Sequence, residues 1–328
     1  MLSTRSGKVN ETKHLKILVL FPGSLGDFLC FLPALDVIRG SSPDGKIVLV
    51  TRSELLSLAR RLLGISSTRS LDNRLFAKLF SPDAAISHEE AHFFSSAYEV
   101  LSWFGYTQPE VKATLNKFAP ERVRSFAFFT GQEDCHASAY YLRCVGQGEI
   151  RCPFLLLSEE EKRWLDAYWK LRGWSASSCV LVLHPGSGGK RKRWEPEGFV
   201  QIARWWRSYR NRQVVVLLGP AEEFEEEAWR HIGEVEKGLS LWQAAALLSR
   251  ADLYLGNDSG ITHLAGSVGA RGAALFGPTR PQQWRPLGGA LPVVHNVSYR
   301  MAMPEVAGIS LAEISVEEVC ASLTRHGI

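Results

Sequence analysis

Four glycine-rich turns contain the residues of this chain that could bind a ligand or transfer a proton. They cover residues 23–27, 184–194, 219–222 and 256–260, and each follows a short apolar run typical of a buried strand. In an open parallel sheet, ligands bind beyond the carboxyl ends of the strands, where the next helices begin. Backbone N–H groups at such a helix start favour an anion. The pattern therefore predicts a ligand site built from these turns.

The turn at 256–260, Gly-Asn-Asp-Ser-Gly, combines several kinds of ligand-binding group. Asp258 offers a carboxylate, Ser259 a hydroxyl, and Gly260 an unhindered backbone amide. His263 follows one helical turn later, where its ring would face either the ligand or the core. The turn predicts contacts to a polar ligand that carries an anionic group.

Residues 184–194, HPGSGGKRKRW, join a glycine-rich backbone to positive charge. Glycines on both sides of Ser187 free backbone amides, and a basic run at 190–193 includes Lys192. Oriented N–H donors beside cations suit a phosphate or a diphosphate. The residue order is not that of a Walker A loop. A solvated basic loop is the alternative interpretation.

The turn at 219–222 places Glu222 just beyond a predicted strand. A carboxylate at the end of a Rossmann-like strand can hold a ribose diol through two hydrogen bonds. Glu222 also begins an acidic stretch, so an ordinary capping role is an alternative. The adjacent Glu223 leaves the choice of carboxylate open.

The turn at 23–27 supplies a carboxylate from the first half of the chain. Gly23, Ser24 and Gly26 let the backbone pass close to a ligand, and Asp27 lies in the first turn of the following helix. Asp27 could simply complement the helix dipole. In a cleft, the same carboxylate could act as a general base toward a hydroxyl.

Metal-binding patterns are missing from the sequence. No Asp-x-Asp pair occurs, so a divalent metal held by paired carboxylates is not implied. Positive side chains and helix amides would have to offset the charge of a leaving diphosphate. The six cysteines form no Cys-x-x-Cys pair and show no zinc-like spacing with histidine, which is typical of reduced thiols. We expect no metal and no cofactor.

Both halves of the chain repeat the order strand, turn, helix, strand. Apolar runs at 17–21 and 47–50 predict strands in the first half, and runs at 180–183, 214–218 and 253–255 predict them in the second. Apolar residues spaced three and four apart indicate the helices between them. The predicted fold class is therefore α/β, with two Rossmann-like parallel sheets.

With 328 residues, the chain is longer than one typical domain. We predict an amino-terminal Rossmann-like domain over 1–160, a carboxyl-terminal Rossmann-like domain over 161–310, and a final helix over 311–328 that could pack back on the amino-terminal domain. The stretch 66–160 is the least regular part. Within it, residues 88–105 have the pattern of a helix with an acidic, aromatic face.

Composition excludes several classes of protein. A net charge of +4 without an aromatic and basic block does not favour a nucleic-acid partner. The polar amino terminus lacks the apolar segment of a signal peptide, and no run approaches 18 apolar residues. We expect a cytoplasmic protein.

Taken in order, these motifs resemble the heptosyltransferases of bacterial lipopolysaccharide assembly, glycosyltransferase family 9. The motifs are SLGDFLCFLPAL, HPGSGGKRKRW, LLGPAEE, and GNDSGITHLAGSVG with the ALFGPT and WRPLG that follow it. The resemblance implies the GT-B architecture, two facing Rossmann-like parallel-sheet domains with a central cleft. It further implies inverting, metal-independent transfer from a nucleotide-diphosphate sugar, with ADP-heptose as the expected donor. The carboxyl-terminal domain would bind this donor, and the amino-terminal domain would bind a lipid-linked glycan acceptor.

The resemblance also assigns roles to single residues by motif position. Asp27 resembles the general base that deprotonates the acceptor hydroxyl, and Gly23, Ser24 and Gly26 form its loop on the acceptor side. Lys192 resembles the lysine that contacts the donor diphosphate.

Further donor-binding residues follow from the same comparison. Ser187 lies near the diphosphate, Glu222 resembles the carboxylate that binds the ribose, and Asp258 resembles the residue that contacts the transferred sugar. Ser259 and Gly260 would supply amides to the diphosphate. The motif also contains His263, and its role there is less defined.

The chain departs from the family pattern at Arg280, where an acidic or small residue is more usual, and in the extra charge of Lys190 and Arg191. These departures bear on the donor sugar more than on the reaction. Because such acceptors are lipid-linked, peripheral contact with the inner membrane would be compatible with the basic balance and the aromatic residues of 88–130.

Other functions on the same scaffold are alternatives. They include a nucleotide-sugar 2-epimerase, a transferase with another donor, and a non-catalytic nucleotide-sugar-binding protein. A carboxylate at Asp27 argues against pure binding, which needs no base. A dehydrogenase is disfavoured because the first turn lacks Gly-x-Gly-x-x-Gly and the second strand ends without an acidic residue.

Overall fold

A computed structural model describes residues 15–62, 64–81, 84–146, 148–152, 154–220, 222, 226–295 and 311–325. Glu223 and the polar amino-terminal residues lie outside these ranges. Within them, no helix has both the length and the apolar character needed to cross a bilayer.

The first sheet is parallel throughout and surrounds a central strand. Its strands are β1 (Lys16–Leu20), β2 (Lys46–Thr51), β3 (Ile65–Ser70), β4 (Glu99–Ser102) and β5 (Val123–Ser125). Their order is β3-β2-β1-β4-β5, so β1 pairs with β2 on one side and β4 on the other. This position explains why β1 is a continuous apolar run, since both of its faces are covered.

The helices that follow these strands are α1 (Leu25–Ser41), α2 (Leu56–Ala59), α3 (Arg74–Lys78), α4 (His88–Ser95) and α5 (Pro109–Phe118). The helix α4 begins at a capping box in which Ser87 and Glu90 bond each other's backbone amides. It ends at Ser95, and β4 follows. The predicted helix over 88–105 is therefore wrong in its second half, because β4 pairs with β1 and β5.

The second sheet is also parallel and has a Rossmann-type strand order. Its strands are β6 (Cys179–His184), β7 (Arg212–Leu217), β8 (Glu234–Glu236), β9 (Leu253–Asn257), β10 (Gly272–Phe276) and β11 (Val293–His295). The order is β11-β10-β9-β6-β7-β8. From β6 the chain adds strands first on one side (β7, β8) and then on the other (β9, β10, β11). The point between β6 and β9 where this order reverses is where ligands bind in open α/β sheets. The turns after these two strands are 184–194 and 256–260.

Helices complete this part of the chain. They are α6 (Ala137–Val145), α7 (Glu159–Leu171), α8 (Pro196–Arg207), α9 (Glu226–Trp229), α10 (Leu241–Arg250), α11 (Gly260–Ser267), α12 (Pro281–Trp284) and α13 (Val316–Thr324). The last helix was expected to pack on the amino-terminal domain. Instead, Val319 and Leu323 of α13 are buried in the core of the second sheet, beside residues of α8 and β10.

The chain divides into two compact units that do not follow chain order. One contains Met1–Pro22 and Ile38–Phe128, and the other contains Gly23–Val37 and Phe129–Ile328. The first turns of α1, with Asp27, thus belong to the same unit as the second sheet. The boundary at residue 160 stays a prediction.

The start of β10 tests how closely the strands of the second sheet approach each other. Gly272 has a φ of +150°, and a Cβ atom there would lie 1.8 Å from the backbone oxygen of Tyr254. We expect Gly272→Ala to lower the free energy of unfolding by about 3 kcal/mol or more, because it adds backbone strain and a steric clash. Urea denaturation measures the change.

Gly40 supplies the control, because a Cβ atom there has no neighbour within 4 Å and the residue lies in helix α1. We expect Gly40→Ala to be neutral or to stabilise the protein by up to about 1 kcal/mol. Equal unfolding midpoints for the two variants would show that β10 can accept a side chain at position 272 next to β9.

Candidate active site

Two helices begin at the same place in the second unit. A Cβ atom on Gly26 would lie 3.1 Å from Cδ2 of His263 and 3.7 Å from Cα of Gly260. A Cβ atom on Gly260 would lie 2.8 Å from Cβ of Leu25. The space is tightest at Gly260, where a side chain would force Leu25 to move, and Gly26 leaves little room beside His263. Two helix amino termini, whose first N–H groups have no partner within their own helix, make the junction favourable for an anion.

A pocket of about 330 Å³ opens at this junction. Its volume is at the lower end of the range for small-molecule sites. The residues that line it all belong to the second unit: Ser24, Gly26, Asp27, Phe129, Ser187, Gly188, Lys192, Asp258, Ser259, Gly260, His263 and Trp284. Of the site residues expected from the sequence, the lining includes all but Gly23 and Glu222.

Asp258 is held by hydrogen bonds from both sides of the pocket. Lys192 donates from Nζ to Oδ2 at 2.8 Å, and the hydroxyl of Thr279 donates to the same oxygen. The hydroxyl of Ser187 donates to the backbone oxygen of Asp258 at 2.7 Å. Only 7% of the Asp258 side chain is exposed, so the lysine compensates a carboxylate that has lost most of its hydration.

The basic loop is tied to the end of β9 by Asn257. Its Oδ1 accepts a hydrogen bond from the backbone N–H of Trp194 at 3.1 Å, and its Nδ2 donates to the backbone oxygen of Pro185 at 2.7 Å. Asn257 is fully buried. One amide side chain thus fixes both ends of the loop that carries Lys192. Nothing in the local sequence distinguishes Asn257 as the residue that does this.

Ser259 acts as the N-cap of α11. Its hydroxyl accepts a hydrogen bond from the backbone N–H of Thr262 at 3.2 Å. The Thr262 hydroxyl contacts that of Tyr254 at 2.8 Å and donates to the backbone oxygen of Asn257. Ser259 therefore caps α11, and the Thr262 hydroxyl anchors its first turn to the buried strand β9.

Asp27 lies in the first turn of α1 and lines the pocket. Its Oδ2 accepts hydrogen bonds from the backbone N–H of Ser24 at 3.0 Å and from the Ser24 hydroxyl at 2.7 Å. The side chain is half-buried. These bonds fix a carboxylate at the wall of the pocket, which is the placement a general base requires.

Glu222 is buried next to the pocket and paired with Arg193. Nη2 of Arg193 donates to Oε1 of Glu222 at 2.6 Å and to the backbone oxygen of Ser187 at 3.3 Å. A Cβ atom on Gly186 would lie 2.4 Å from the Glu222 carboxylate, so the glycine makes room for it. Arg193 was expected to face a diphosphate with the other basic residues. The structure shows it instead as the counter-ion of Glu222.

Burial keeps two histidines of this unit neutral. Loss of hydration lowers the pKa of His184 and that of His263 to about 4 in each case. Nδ1 of His263 lies 3.7 Å from the thiol of Cys30, whose pKa is raised by burial. The sequence left open whether His263 faces a ligand or the core. The ring is only 4% exposed, yet it lines the pocket.

Two aromatic pocket residues were missed as site residues. Phe129 lies in the irregular stretch 66–160, where the aromatic residues were considered only for membrane contact, and Trp284 belongs to the WRPLG motif without an assigned role. Their ring centroids are 5.0 Å apart with planes at 64°. No local pattern distinguishes such residues from core aromatics, because their position depends on contacts distant in sequence.

A sequence profile described as glycosyltransferase family 9 (heptosyltransferase) matches residues 93–307, more than half of the chain. The chain belongs to glycosyltransferase family 9. The match includes the turns at 184–194 and 256–260 and the residue Trp284. It begins after Asp27, so the interpretation of that residue rests on its own motif and on its place in the pocket.

Individual proteins of family 9 are similar to the chain over different lengths. Lipopolysaccharide heptosyltransferase 2 of Salmonella typhimurium is 29% identical over 150 residues, which cover 41% of this chain and 40% of that protein. The chain therefore matches less than half the length of this relative.

Solved structures match almost the whole chain. The family 9 glycosyltransferase of Veillonella parvula has 20% identity and a TM-score of 0.72, covering 96% of this chain and 98% of that one. The ADP-heptose lipopolysaccharide heptosyltransferase II of E. coli has 18% identity and a TM-score of 0.70, covering 96% and 100%. The predicted fold class, two Rossmann-like parallel sheets of the GT-B type, and the predicted membership of family 9 are both confirmed.

The buried histidines predict how stability depends on pH. In the unfolded chain each would bind a proton below pH 6.5, but in the fold each stays neutral down to about pH 4. The unfolded state then binds more protons, so stability falls as the pH drops through this window. We expect each histidine to remove about 2 kcal/mol of unfolding free energy between pH 7 and pH 5.

Urea denaturation at both pH values measures this loss. His184→Gln keeps a donor for the backbone oxygen of Leu217, which His184 Nδ1 contacts at 2.7 Å, but cannot titrate. The variant should lose about 2 kcal/mol less than the wild type. His231→Gln, at an exposed position, is the control and should behave like the wild type. An unchanged loss in the His184 variant would contradict the assignment.

Proposed function

We propose that this protein is an inverting, metal-independent glycosyltransferase that moves a sugar from a nucleoside diphosphate to a hydroxyl of a glycan acceptor. The observation that carries the proposal is one pocket that combines the carboxylate of Asp27, the Lys192–Asp258 pair and two helix amino termini. Membership of family 9 supports the same reaction class.

The proposed reaction is a direct displacement. The acceptor oxygen attacks the anomeric carbon from the face opposite the diphosphate, and Asp27 takes the hydroxyl proton. A new bond forms between the anomeric carbon and the acceptor oxygen. The bond from that carbon to the diphosphate oxygen breaks, and its electron pair leaves with the nucleoside diphosphate. The configuration at the anomeric carbon is therefore inverted.

The leaving group gains negative charge as the bond breaks. Lys192 and the amides of Ser259 and Gly260, which line the pocket at the start of α11, are proposed to stabilise it. Because these donors are fixed before the ligand arrives, they need little reorganisation during the reaction. Asp258, held by Lys192 and Thr279, is proposed to accept hydrogen bonds from hydroxyls of the transferred sugar.

We propose ADP-heptose as the donor and a lipopolysaccharide-type, lipid-linked glycan as the acceptor. One protein of similar fold is named an ADP-heptose lipopolysaccharide heptosyltransferase. Another, the heptosyltransferase WaaC of E. coli, was solved in complex with ADP. It is 16% identical to this chain, with a TM-score of 0.63. Glu222, beside the pocket, is the proposed ribose ligand. Such an acceptor would place the protein in the cytoplasm, in peripheral contact with the inner membrane.

Two other functions predict different products. A 2-epimerase that also hydrolyses its substrate would add water at the anomeric carbon, giving a free sugar and free nucleoside diphosphate without a glycosylated acceptor. A binding protein would give no product at all. A carboxylate fixed at the pocket wall by Ser24 favours transfer over binding, because binding alone needs no base.

Asp27 provides the direct test of the mechanism. We expect Asp27→Ala to reduce transfer at least 100-fold, because the acceptor hydroxyl loses its proton acceptor. ADP should still bind with wild-type affinity. Product formation from ADP-heptose, followed by mass spectrometry, gives the rate, and calorimetry gives the affinity for ADP.

Asp36→Ala is the matched control, since Asp36 lies on the same helix and is exposed. It should transfer at the wild-type rate. Full turnover by Asp27→Ala would refute the role of Asp27, and loss of ADP binding would show that the variant had damaged the donor site instead.

Metal independence has its own test. We expect the transfer rate after dialysis against EDTA to remain within about twofold of the untreated rate, because cationic and amide donors replace a metal at the diphosphate. Rates are compared before and after adding back Mg²⁺ or Mn²⁺. A rate that falls with EDTA and returns with one of these ions would overturn this part of the proposal.

A further inference from the structure

The pocket has an aromatic part to which the proposed reaction assigns no role. Trp284 and Phe129 line it together with Asp27, Lys192 and Asp258. Phe129 is 2% exposed and packs on Tyr140 at 5.4 Å, so it serves as the base of this wall. Trp284 is only half-buried. Its indole therefore keeps a surface that a ligand can reach.

The position of Trp284 is set by hydrogen bonds around it. Nε2 of Gln283, which is 4% exposed, donates to the backbone oxygens of Gly131 at 2.9 Å and Glu133 at 2.7 Å. On the other side, His136 bonds the backbone oxygen of Arg285 at 2.9 Å. A helix of four residues is thus held at both neighbours of Trp284, and the indole is preorganised.

His136 contributes to this clamp in one defined tautomer. Its Nδ1 accepts a hydrogen bond from the backbone N–H of Ser138 at 3.1 Å, so the ring proton is on Nε2 and is donated to Arg285. Burial lowers the pKa of His136, which favours this neutral form.

The same loop connects the aromatic wall to the charged wall. Thr279, whose hydroxyl donates to Asp258, lies between β10 and α12. Trp284 follows within one short helix whose backbone bonds Arg280. A ligand that contacts Asp258 therefore meets Trp284 in the same pocket.

These two kinds of surface match one class of ligand. A sugar ring carries hydroxyls that bond carboxylates, and its C–H faces are apolar and slightly positive. An indole face is apolar and electron-rich, so it attracts such C–H groups. A phosphate would use neither group. A nucleoside could stack its base on the indole and bond its ribose to a carboxylate, but the affinity for ADP would then depend on Trp284.

We propose that Trp284 is a specificity-determining residue that packs against the sugar ring at the reacting centre. This inference rests on the proposed glycosyl transfer and names the part of the substrate that the aromatic wall recognises. The ring belongs either to the donor or to the acceptor. Measuring the KM for the donor and the KM for the acceptor separately distinguishes the two cases.

The experiment compares Trp284→Ala, Trp284→Phe and the wild type. We expect Trp284→Ala to raise the KM for ADP-heptose or for the acceptor about tenfold, the scale of one aromatic contact. Its Kd for ADP should stay within about twofold of wild type, because ADP has no transferred sugar. Trp284→Phe should recover most of the loss, since it keeps an aromatic face.

Trp164→Ala is the matched control. Trp164 is half-buried and packs on Tyr168 at 5.3 Å in α7, away from the residues that line the pocket. Its KM values should equal those of the wild type. Thermal unfolding of each variant shows whether it folds.

The outcomes separate this inference from the reaction itself. A rise in the donor KM assigns the donor sugar, and a rise in the acceptor KM assigns the acceptor sugar. Unchanged KM values, or an equal loss of affinity for ADP and ADP-heptose, overturn the role of Trp284 and leave the transferase proposal standing. If the wild type transfers no sugar, the proposed function fails, and calorimetry with ADP, with ADP-heptose and with the acceptor glycan still tests the contact.

Discussion

The close approach of α1 and α11 is the constraint on which the rest of the site depends. Gly26 and Gly260 leave little room for side chains where the two helices meet, least of all at Gly260. The positive ends of two helix dipoles therefore lie beside one small volume. Asp27 and Ser259 take their positions from the same helix starts. A wider separation of the helices would move the Asp27 carboxylate away from the start of α11.

Ion pairs hold the loops around this junction. Asp258 and Glu222 are both nearly buried, and each is compensated by a cation from the basic loop, Lys192 in one case and Arg193 in the other. Removing one partner would leave a charge in a poorly hydrated place, which is costly. Consecutive residues of one loop are thus bonded to the turns after two different strands. The loop after β6 consequently has little freedom to move.

Local sequence patterns predicted most of the strands and turns, but fewer of the side-chain contacts between distant segments. The strands β1 and β6 are continuous apolar runs, and glycine-rich turns marked the ends that carry Asp27, Lys192 and Asp258. The pairing of Arg193 with Glu222 could not be foreseen, because adjacent cations look alike until distant segments meet. For the same reason, the sequence did not predict the position of Phe129 in the pocket or the strand β4. Both depend on neighbours far away in the chain rather than on spacing within it.

The Lys192–Asp258 pair has a consequence for selectivity among the anions of a cell. The lysine is paired with a carboxylate 2.8 Å away. An inorganic phosphate ion must compete with that carboxylate and gives it nothing in return. Under the proposed function, a ligand with both a diphosphate and sugar hydroxyls would bond both partners at once. The pair would then favour the intact nucleotide sugar over either of its halves alone.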